Sequence, residues 1–318
     1  MEIHTVGVAG LGHLGRGIAA CLLAHGFRVI GHARRPETRA AAREHIGRAV
    51  SELIQHGAAP QELASQWPGR YEEAEGLEAL APCQFVVESV AEDPAVKEEV
   101  FQAIEGAVGA DVPLASNTSS IPISLLQRGR RHPERLVGMH WAEPAHVTRF
   151  LEVICGEATS EETIRRTMAL GRRLGKEPAL VRKDVPGFIV NRLGYALYRE
   201  ALHLVESGVA DMETIDRACR NALGLWATYC GPFRWIDLTG GPALYGRAQK
   251  RVWPTLSSAA EIPEMLEKLI AADARGTANG RGFYQYTEAE AKRWEEGYRQ
   301  HAWAVCRMLD RYYPLDEP

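Results

Sequence analysis

The chain has 318 residues, enough for two domains, with 46% apolar and 25% charged residues, the balance of a soluble globular protein. No apolar run approaches the ~18 residues that span a bilayer, and a formal charge of −4 leaves no basic field for nucleic acid, so both of those roles are set aside. Six cysteines (Cys21, Cys83, Cys155, Cys219, Cys230, Cys306) lie far apart with no C-x-x-C pair, which suits reduced thiols in a cytoplasmic protein and gives no reason to expect a metal.

The opening MEIHTVGVAGLG lacks a basic n-region and a cleavage site and reads as the mature start. Thr5 to Ala9 reads as a buried strand, followed by Gly10-Leu-Gly-His-Leu-Gly15, a helical stretch from Ile18 to Ala24 closed by Gly26, and a second extended run from Phe27 to His32. In this strand-turn-helix-strand order, G-x-G-x-x-G marks a dinucleotide site. The glycines allow a tight turn and close backbone approach, and the free N–H groups of the helix start suit a pyrophosphate. Gly10, Gly12, His13, Leu14 and Gly15 are therefore candidate cofactor residues.

At the end of the second strand, NAD sites usually carry an acid for the ribose hydroxyls, whereas NADP sites remove that charge and add cations. Here Ala33 stands where the acid is expected and Arg34 and Arg35 follow, which favours NADP(H) over NAD(H); the alternative is that both arginines are solvated loop charges. Arg39 to Leu53 and Gln61 to Gln66 have helical spacing and form a helical insertion before the sheet resumes at Phe85 to Val90. Glu92 and Lys97 follow that strand, at the sheet edge where open α/β folds bind ligands, and a further strand, Val112 to Ala115, ends in Ser116-Asn-Thr-Ser-Ser120. Arg128-Gly-Arg-Arg-His-Pro133 reads as a polar loop.

Leu136-Val-Gly-Met139 ends at His140, and in the strand Phe150-Leu-Glu-Val-Ile154 an acid sits among apolar neighbours. A buried carboxylate needs a partner. If Glu152 holds one imidazole nitrogen of His140, the other is left to exchange a proton with substrate. Glu143, between them, has no role that this pattern assigns.

Four segments in order carry a family likeness: Ser116-Asn-Thr-Ser-Ser120; Gly138-Met-His-Trp-Ala-Glu-Pro144 leading to Leu151-Glu-Val153; Asp184-Val-Pro-Gly-Phe-Ile-Val-Asn-Arg-Leu193; and Gly231-Pro-Phe233 with Gly280-Arg-Gly-Phe-Tyr284. Together they resemble the 3-hydroxyacyl-CoA dehydrogenase superfamily, whose short two-domain members include L-carnitine dehydrogenase and the gulonate dehydrogenase related to lambda-crystallin. The resemblance implies an α/β Rossmann-like N-terminal domain with a helical insertion over residues 1–185, then a mostly α-helical substrate and dimerisation domain over 186–318. It implies His140 as the proton-transfer residue held by Glu152, Ser119 and Asn191 at the reacting oxygen or the nicotinamide, and Asn117, Glu92 and Lys97 near the cofactor. It further implies a homodimer acting on a small-molecule substrate, interconverting a 3-hydroxy and a 3-oxo group with NAD(P).

The sequence supports a helical second half: Phe188, Val190, Leu193, Leu197, Ala201 and Leu204 mark an amphipathic helix, and further stretches run from Met212 to Leu223, Glu264 to Ala274 and Glu288 to Leu309. In the last of these Trp294, Tyr298, Trp303 and Cys306 read as a packing face. Three departures weaken a long acyl-CoA substrate. Glu143 replaces the amide of the family's His-Phe-Phe-Asn-Pro and would either act on His140, contact a cationic substrate group or bond a loop backbone. Arg39 to His56 lacks lysine, and Trp226 and Tyr229 crowd the approach to Gly231. Two other readings stay open: a hydroxyisobutyrate-type dehydrogenase, which needs a catalytic lysine that Lys176 and Lys183 do not resemble, and a non-catalytic crystallin-like dinucleotide-binding protein.

Overall fold

In a computed structural model, which describes residues 2–315, the chain forms two compact units. One runs to Asn191 and the other is Arg192–Pro314.

The first unit contains β1 (Thr5–Ala9), α1 (His13–Ala24), β2 (Arg28–His32), α2 (Pro36–Gln55), α3 (Leu63–Arg70), β3 (Tyr71–Ala74), β4 (Phe85–Glu88), α4 (Pro94–Ala107), β5 (Leu114–Ser116), α5 (Ile123–Leu126), β6 (Leu136–Trp141), β7 (Phe150–Ile154), α6 (Glu161–Arg173) and β8 (Glu177–Val181). The eight strands lie in the order β3-β2-β1-β4-β5-β6-β7-β8, all neighbours parallel except β6 with β7. The central strands read as near-continuous apolar runs because helices cover both faces of the sheet. Leu22, Leu23, Phe27, Val29 and Val87 fill one layer, and Phe85 joins it; Phe101, Ile104, Leu114 and Ile123 fill the other.

The registers bring the functional segments to one edge. Ala9 lies beside His32 and Glu88, Glu88 beside Ser116, and Ser116 beside Gly138, so these strands finish at one level. From β1 the order runs outward in both directions, and such a switch point leaves a ligand crevice at the strands' C-terminal ends. β6 extends beyond that level to His140, whose direct partner on antiparallel β7 is Glu152. Their separation of twelve residues in the chain is thus one rung of a ladder in space.

Strands β3 and β8 are absent from the sequence reading. Both are edge strands with weak apolar patterning: β3 is Tyr-Glu-Glu-Ala, whose acids pair with Arg28 and Arg43, and β8 contains Pro178. The helical insertion therefore does not run unbroken to Phe85.

The second unit continues the helix that begins at the end of the first, α7 (Val190–Glu206), and adds α8 (Met212–Ala218), a π-helical turn (Cys219–Leu223), α9 (Gly224–Ala227), α10 (Gly231–Leu238), α11 (Gly241–Val252), α12 (Glu264–Ala271) and α13 (Glu288–Tyr312). Helices α10 and α11 have no clear signal in the sequence because Gly-Pro reads as a breaker; here each proline occupies the first turn, where its missing N–H costs nothing. On α13, Trp303 and Cys306 are buried as a packing face requires, whereas Trp294 and Tyr298 are exposed.

Candidate active site

His140 sits near the end of β6, buried between the rings of Phe150 and Phe188, whose centroids lie 5.6 and 5.9 Å away. Its Nδ1 is 2.8 Å from Glu152 Oε2. Glu152 is 1% exposed, and its other oxygen accepts the N–H groups of Ile189 and Val190, each at 3.0 Å. The chain reaches those donors through Phe188, which has a φ of 52°, a left-handed conformation rare in a bulky residue. That turn points two successive N–H groups at the carboxylate just where α7 begins, so a small anion nest meets a helix N-terminus. Burial pushes the Glu152 carboxyl up, but the bonds from His140, Val190 and Ile189 outweigh it and the net direction is down. Glu152 is therefore ionised and accepts, His140 Nδ1 donates, and Nε2 is left as the basic nitrogen.

A second polar network lies at the ends of β4 and β5. Lys97, expected near the cofactor, is 1% exposed, and its ammonium lies 2.7 and 2.9 Å from the oxygens of Glu88, itself fully buried. The Ser116 hydroxyl at 2.6 Å and the Val90 N–H at 2.7 Å complete the bonds to Glu88. Lys97 also reaches Glu92 at 3.3 Å. Glu92 Oε1 gathers the Thr118 hydroxyl and the N–H groups of Ser119 and Ser120. Burial raises the Glu92 carboxyl, but Thr118, Lys97 and Ser119 hold it below its ordinary value. The serine loop is thus wrapped around one carboxylate. Ser119 Oγ lies 3.4 Å from it, and the Ser119 carbonyl accepts the Asn191 amide at 2.9 Å. Asn117 ties the two networks together, accepting the Trp141 N–H at 3.0 Å and donating to Ser89 at 3.1 Å.

At the glycine turn, a Cβ on Gly15 would lie 1.9 Å from the Gly10 carbonyl, and one on Gly10 2.4 Å from the Ser89 carbonyl, so both glycines are required by the fold. Gly12 is different. It has an ordinary φ of −69°, and a Cβ there would meet no protein atom within 4 Å. Neither backbone nor packing asks for its bareness, which suits a ligand lying on the turn. α1 has no side-chain cap and no acid in its first turn, leaving its N–H groups to an anion. Leu14 packs on the core while His13 is exposed. A groove of about 500 Å³ beside the turn is lined by Gly12, His13, Arg16, Arg35, Glu37 and Thr38. The residues fit a dinucleotide.

Glu143 does not join Glu152 at the imidazole: its Oε1 lies 3.5 Å from His13 Nε2, so it links the loop after β6 to the glycine turn. Ala33 is buried, and Arg34 and Arg35 are exposed. Lys176, whose ammonium bonds the carbonyls of Ala145 and Thr148 beneath the Trp141 ring, holds the loop between β6 and β7, and Lys183 is exposed, so the lysine chemistry of a hydroxyisobutyrate-type enzyme has no support. Among the described residues no His, Cys, Asp or Glu cluster has the form of a metal site.

Residues 5–185 match the 3-hydroxyacyl-CoA dehydrogenase NAD binding domain, and residues 187–286 match the 3-hydroxyacyl-CoA dehydrogenase C-terminal domain. The chain belongs to the 3-hydroxyacyl-CoA dehydrogenase family. It is 34% identical over 309 residues to 5-formyl-3-hydroxy-2-methylpyridine 4-carboxylate 5-dehydrogenase of Mesorhizobium japonicum, covering 97% of this chain and 99% of that one. To L-carnitine dehydrogenase of Pseudomonas aeruginosa it is 36% identical over 299 residues, covering 92% and 91% of the two chains. To a probable 3-hydroxybutyryl-CoA dehydrogenase of Bacillus subtilis it is 33% identical over 288 residues, covering 91% and 99%. A solved structure of the pyridine-carboxylate 5-dehydrogenase, described as an NAD+ dependent dismutase, matches at 34% identity with a TM-score of 0.91 over 97% of this chain and 99% of that one.

The NADP(H) preference expected from Ala33, Arg34 and Arg35 gains no support here: the matching family domain is an NAD binding domain and the pyridine-carboxylate enzyme is described as NAD+ dependent, which supports NAD(H). Glu88 and Phe188 belong to these networks, and neither stands out in the sequence as a candidate site residue. Glu88 carries the same signal as Glu152, an acid in an apolar strand, with Lys97 nine residues on. Removing one partner of a buried ion pair strands the other charge at a cost of about 3–5 kcal/mol. Lys97→Met and Glu88→Gln are each expected to lose that much stability in urea denaturation; a loss under about 0.5 kcal/mol, the range of ordinary surface changes, would show that the pair does not organise this edge.

Proposed function

We propose that the chain is an NAD(H)-dependent dehydrogenase interconverting a secondary hydroxyl and a ketone on a small hydroxy or oxo acid, with His140 as general acid and base. The observation that carries the reading is the buried contact of 2.8 Å between His140 Nδ1 and Glu152 Oε2. In oxidation, His140 Nε2 takes the hydroxyl proton as the C–H bond breaks. The dinucleotide, when bound, supplies the nicotinamide carbon that accepts the hydride. Glu152 stabilises the imidazolium that forms, and the two N–H groups at the start of α7 keep that carboxylate ionised and aimed. In reduction the same nitrogen returns the proton. Ser119 and Asn191, joined at 2.9 Å, orient the reacting oxygen, and Asn117 fixes the strand end that carries His140.

A small substrate is favoured over a long acyl-CoA by where the likeness runs. Helix α13 lies beyond the 187–286 segment that the family's C-terminal domain matches, yet the pyridine-carboxylate enzyme aligns over 97% of this chain. Residues 1–185 form the dinucleotide domain in this reading, and 186–318 the substrate and dimer domain. A second copy of the chain completes the latter. Helices α7 to α12 bury no residue, and Phe233 and Trp253 are 84% and 64% exposed, more bare aromatic surface than a monomer keeps.

Two measurements test the proposal. With NADH and a panel of 3-oxo acids, acetoacetyl-CoA and carboxylated aromatic carbonyl compounds, His140→Asn is expected to lower kcat by about 10²–10⁴-fold while NADH affinity stays unchanged. Full turnover in that variant would remove His140 from the chemistry, and a wild-type protein that binds NADH but reduces nothing would favour a non-catalytic role. Light scattering of the purified chain is expected to give twice the monomer mass; a monomer at all concentrations would contradict the second-copy reading.

A further inference from the structure

The corner that reads the adenosine ribose has lost its usual acid, because Ala33 follows β2. The fold returns a carboxylate to that corner from the neighbouring strand. β3 pairs with β2 so that Ala74 lies beside His32, and the residues that follow, Glu75 and Ala33, leave the sheet side by side at the ligand edge. Between them runs Arg39, from the start of α2, whose side chain is only 9% exposed. Its guanidinium donates to the carbonyls of Ala33 at 2.8 Å and Arg34 at 3.3 Å, and to Glu75 Oε1 at 2.8 Å. One buried cation thus ties the end of β2, the start of α2 and the end of β3. The Glu75 side chain is 86% exposed, so a carboxylate clamped at one oxygen is presented to solvent, beside the end of β2, where dinucleotide folds of this kind receive the ribose.

A carboxylate there can accept the ribose hydroxyls, as an acid on β2 would. Its charge also neutralises Arg39, leaving Arg34 and Arg35 as exposed cations without that third guanidinium, and it opposes the negative charge of a 2′-phosphate. We propose that Glu75, positioned by Arg39, is the residue that selects NAD(H) over NADP(H) in this chain. The inference rests on the dinucleotide-binding reading above and accounts for how a sequence with Ala-Arg-Arg after β2 matches an NAD binding domain and resembles an enzyme described as NAD+ dependent.

The test uses the full chain and two ligands that transfer no hydride, ADP-ribose and 2′-phospho-ADP-ribose, titrated calorimetrically. Wild type is expected to prefer ADP-ribose. Glu75→Gln keeps an acceptor for Arg39 but removes the charge, and is expected to shift the affinity ratio toward the 2′-phosphate by about tenfold or more, the scale of one charge-assisted contact. Glu75→Lys is expected to shift it further in the same direction. Glu72→Gln, on the strand that leads to Glu75 but paired with Arg28 at 2.6 Å, is the control for general electrostatics and is expected to leave the ratio within about twofold. A ratio unmoved in both Glu75 variants, a shift as large in Glu72→Gln, or a wild type that prefers the 2′-phosphate overturns the inference while leaving dinucleotide binding intact. Binding of neither ligand by wild type overturns the dinucleotide reading itself.

Discussion

A carboxylate that is 1% exposed has few stable arrangements, and Glu152 adopts one that makes a site. Left alone in an apolar strand it would protonate or unfold the strand around it. Three donors keep it charged: His140 Nδ1 across the β6–β7 ladder and the N–H groups of Ile189 and Val190. Each donor in turn constrains a different part of the chain. The imidazole is held in one tautomer, the Pro186–Phe188 turn is driven into a left-handed residue, and α7 must begin where it does.

The same logic recurs at β4. Glu88 and Lys97 bury opposite charges at the sheet edge and, through Ser116 and Glu92, shape the serine loop that faces the imidazole strand. Buried pairs of this kind contribute little net stability compared with apolar packing, so their value lies in fixing geometry. Asn117, bonded to both Trp141 and Ser89, couples the two networks. The glycine turn and His140 are thereby set on one edge of the sheet, the arrangement that the proposed transfer of hydride and proton requires.

Much of this edge is readable in sequence because burial and function disagree there. Glu152 stands out as an acid in an apolar run, and G-x-G-x-x-G stands out because its βαβ setting is complete. The positions that escaped were those whose local pattern was ordinary. Glu88 looks like the last residue of a strand until Lys97 is seen to fold back on it. Phe188 looks like core, and its positive φ has no sequence signature in a non-glycine residue. Glu143 invites a role at His140 by proximity in the chain, yet the loop carries it to His13. The edge strands β3 and β8 carry charge or proline in place of alternation, and with β3 unseen, Glu75 had no visible connection to the cofactor corner.

The proposed chemistry depends on which imidazole nitrogen of His140 carries the proton. A long-range proton–nitrogen NMR spectrum of the neutral enzyme, with the His140 signals identified by their loss in His140→Asn, reports this directly. The expected result is a single tautomer with the proton on Nδ1 and a bare Nε2. A proton on Nε2 with Nδ1 bare would mean that Glu152 is the donor and uncharged, and the proton path drawn from this geometry would be wrong.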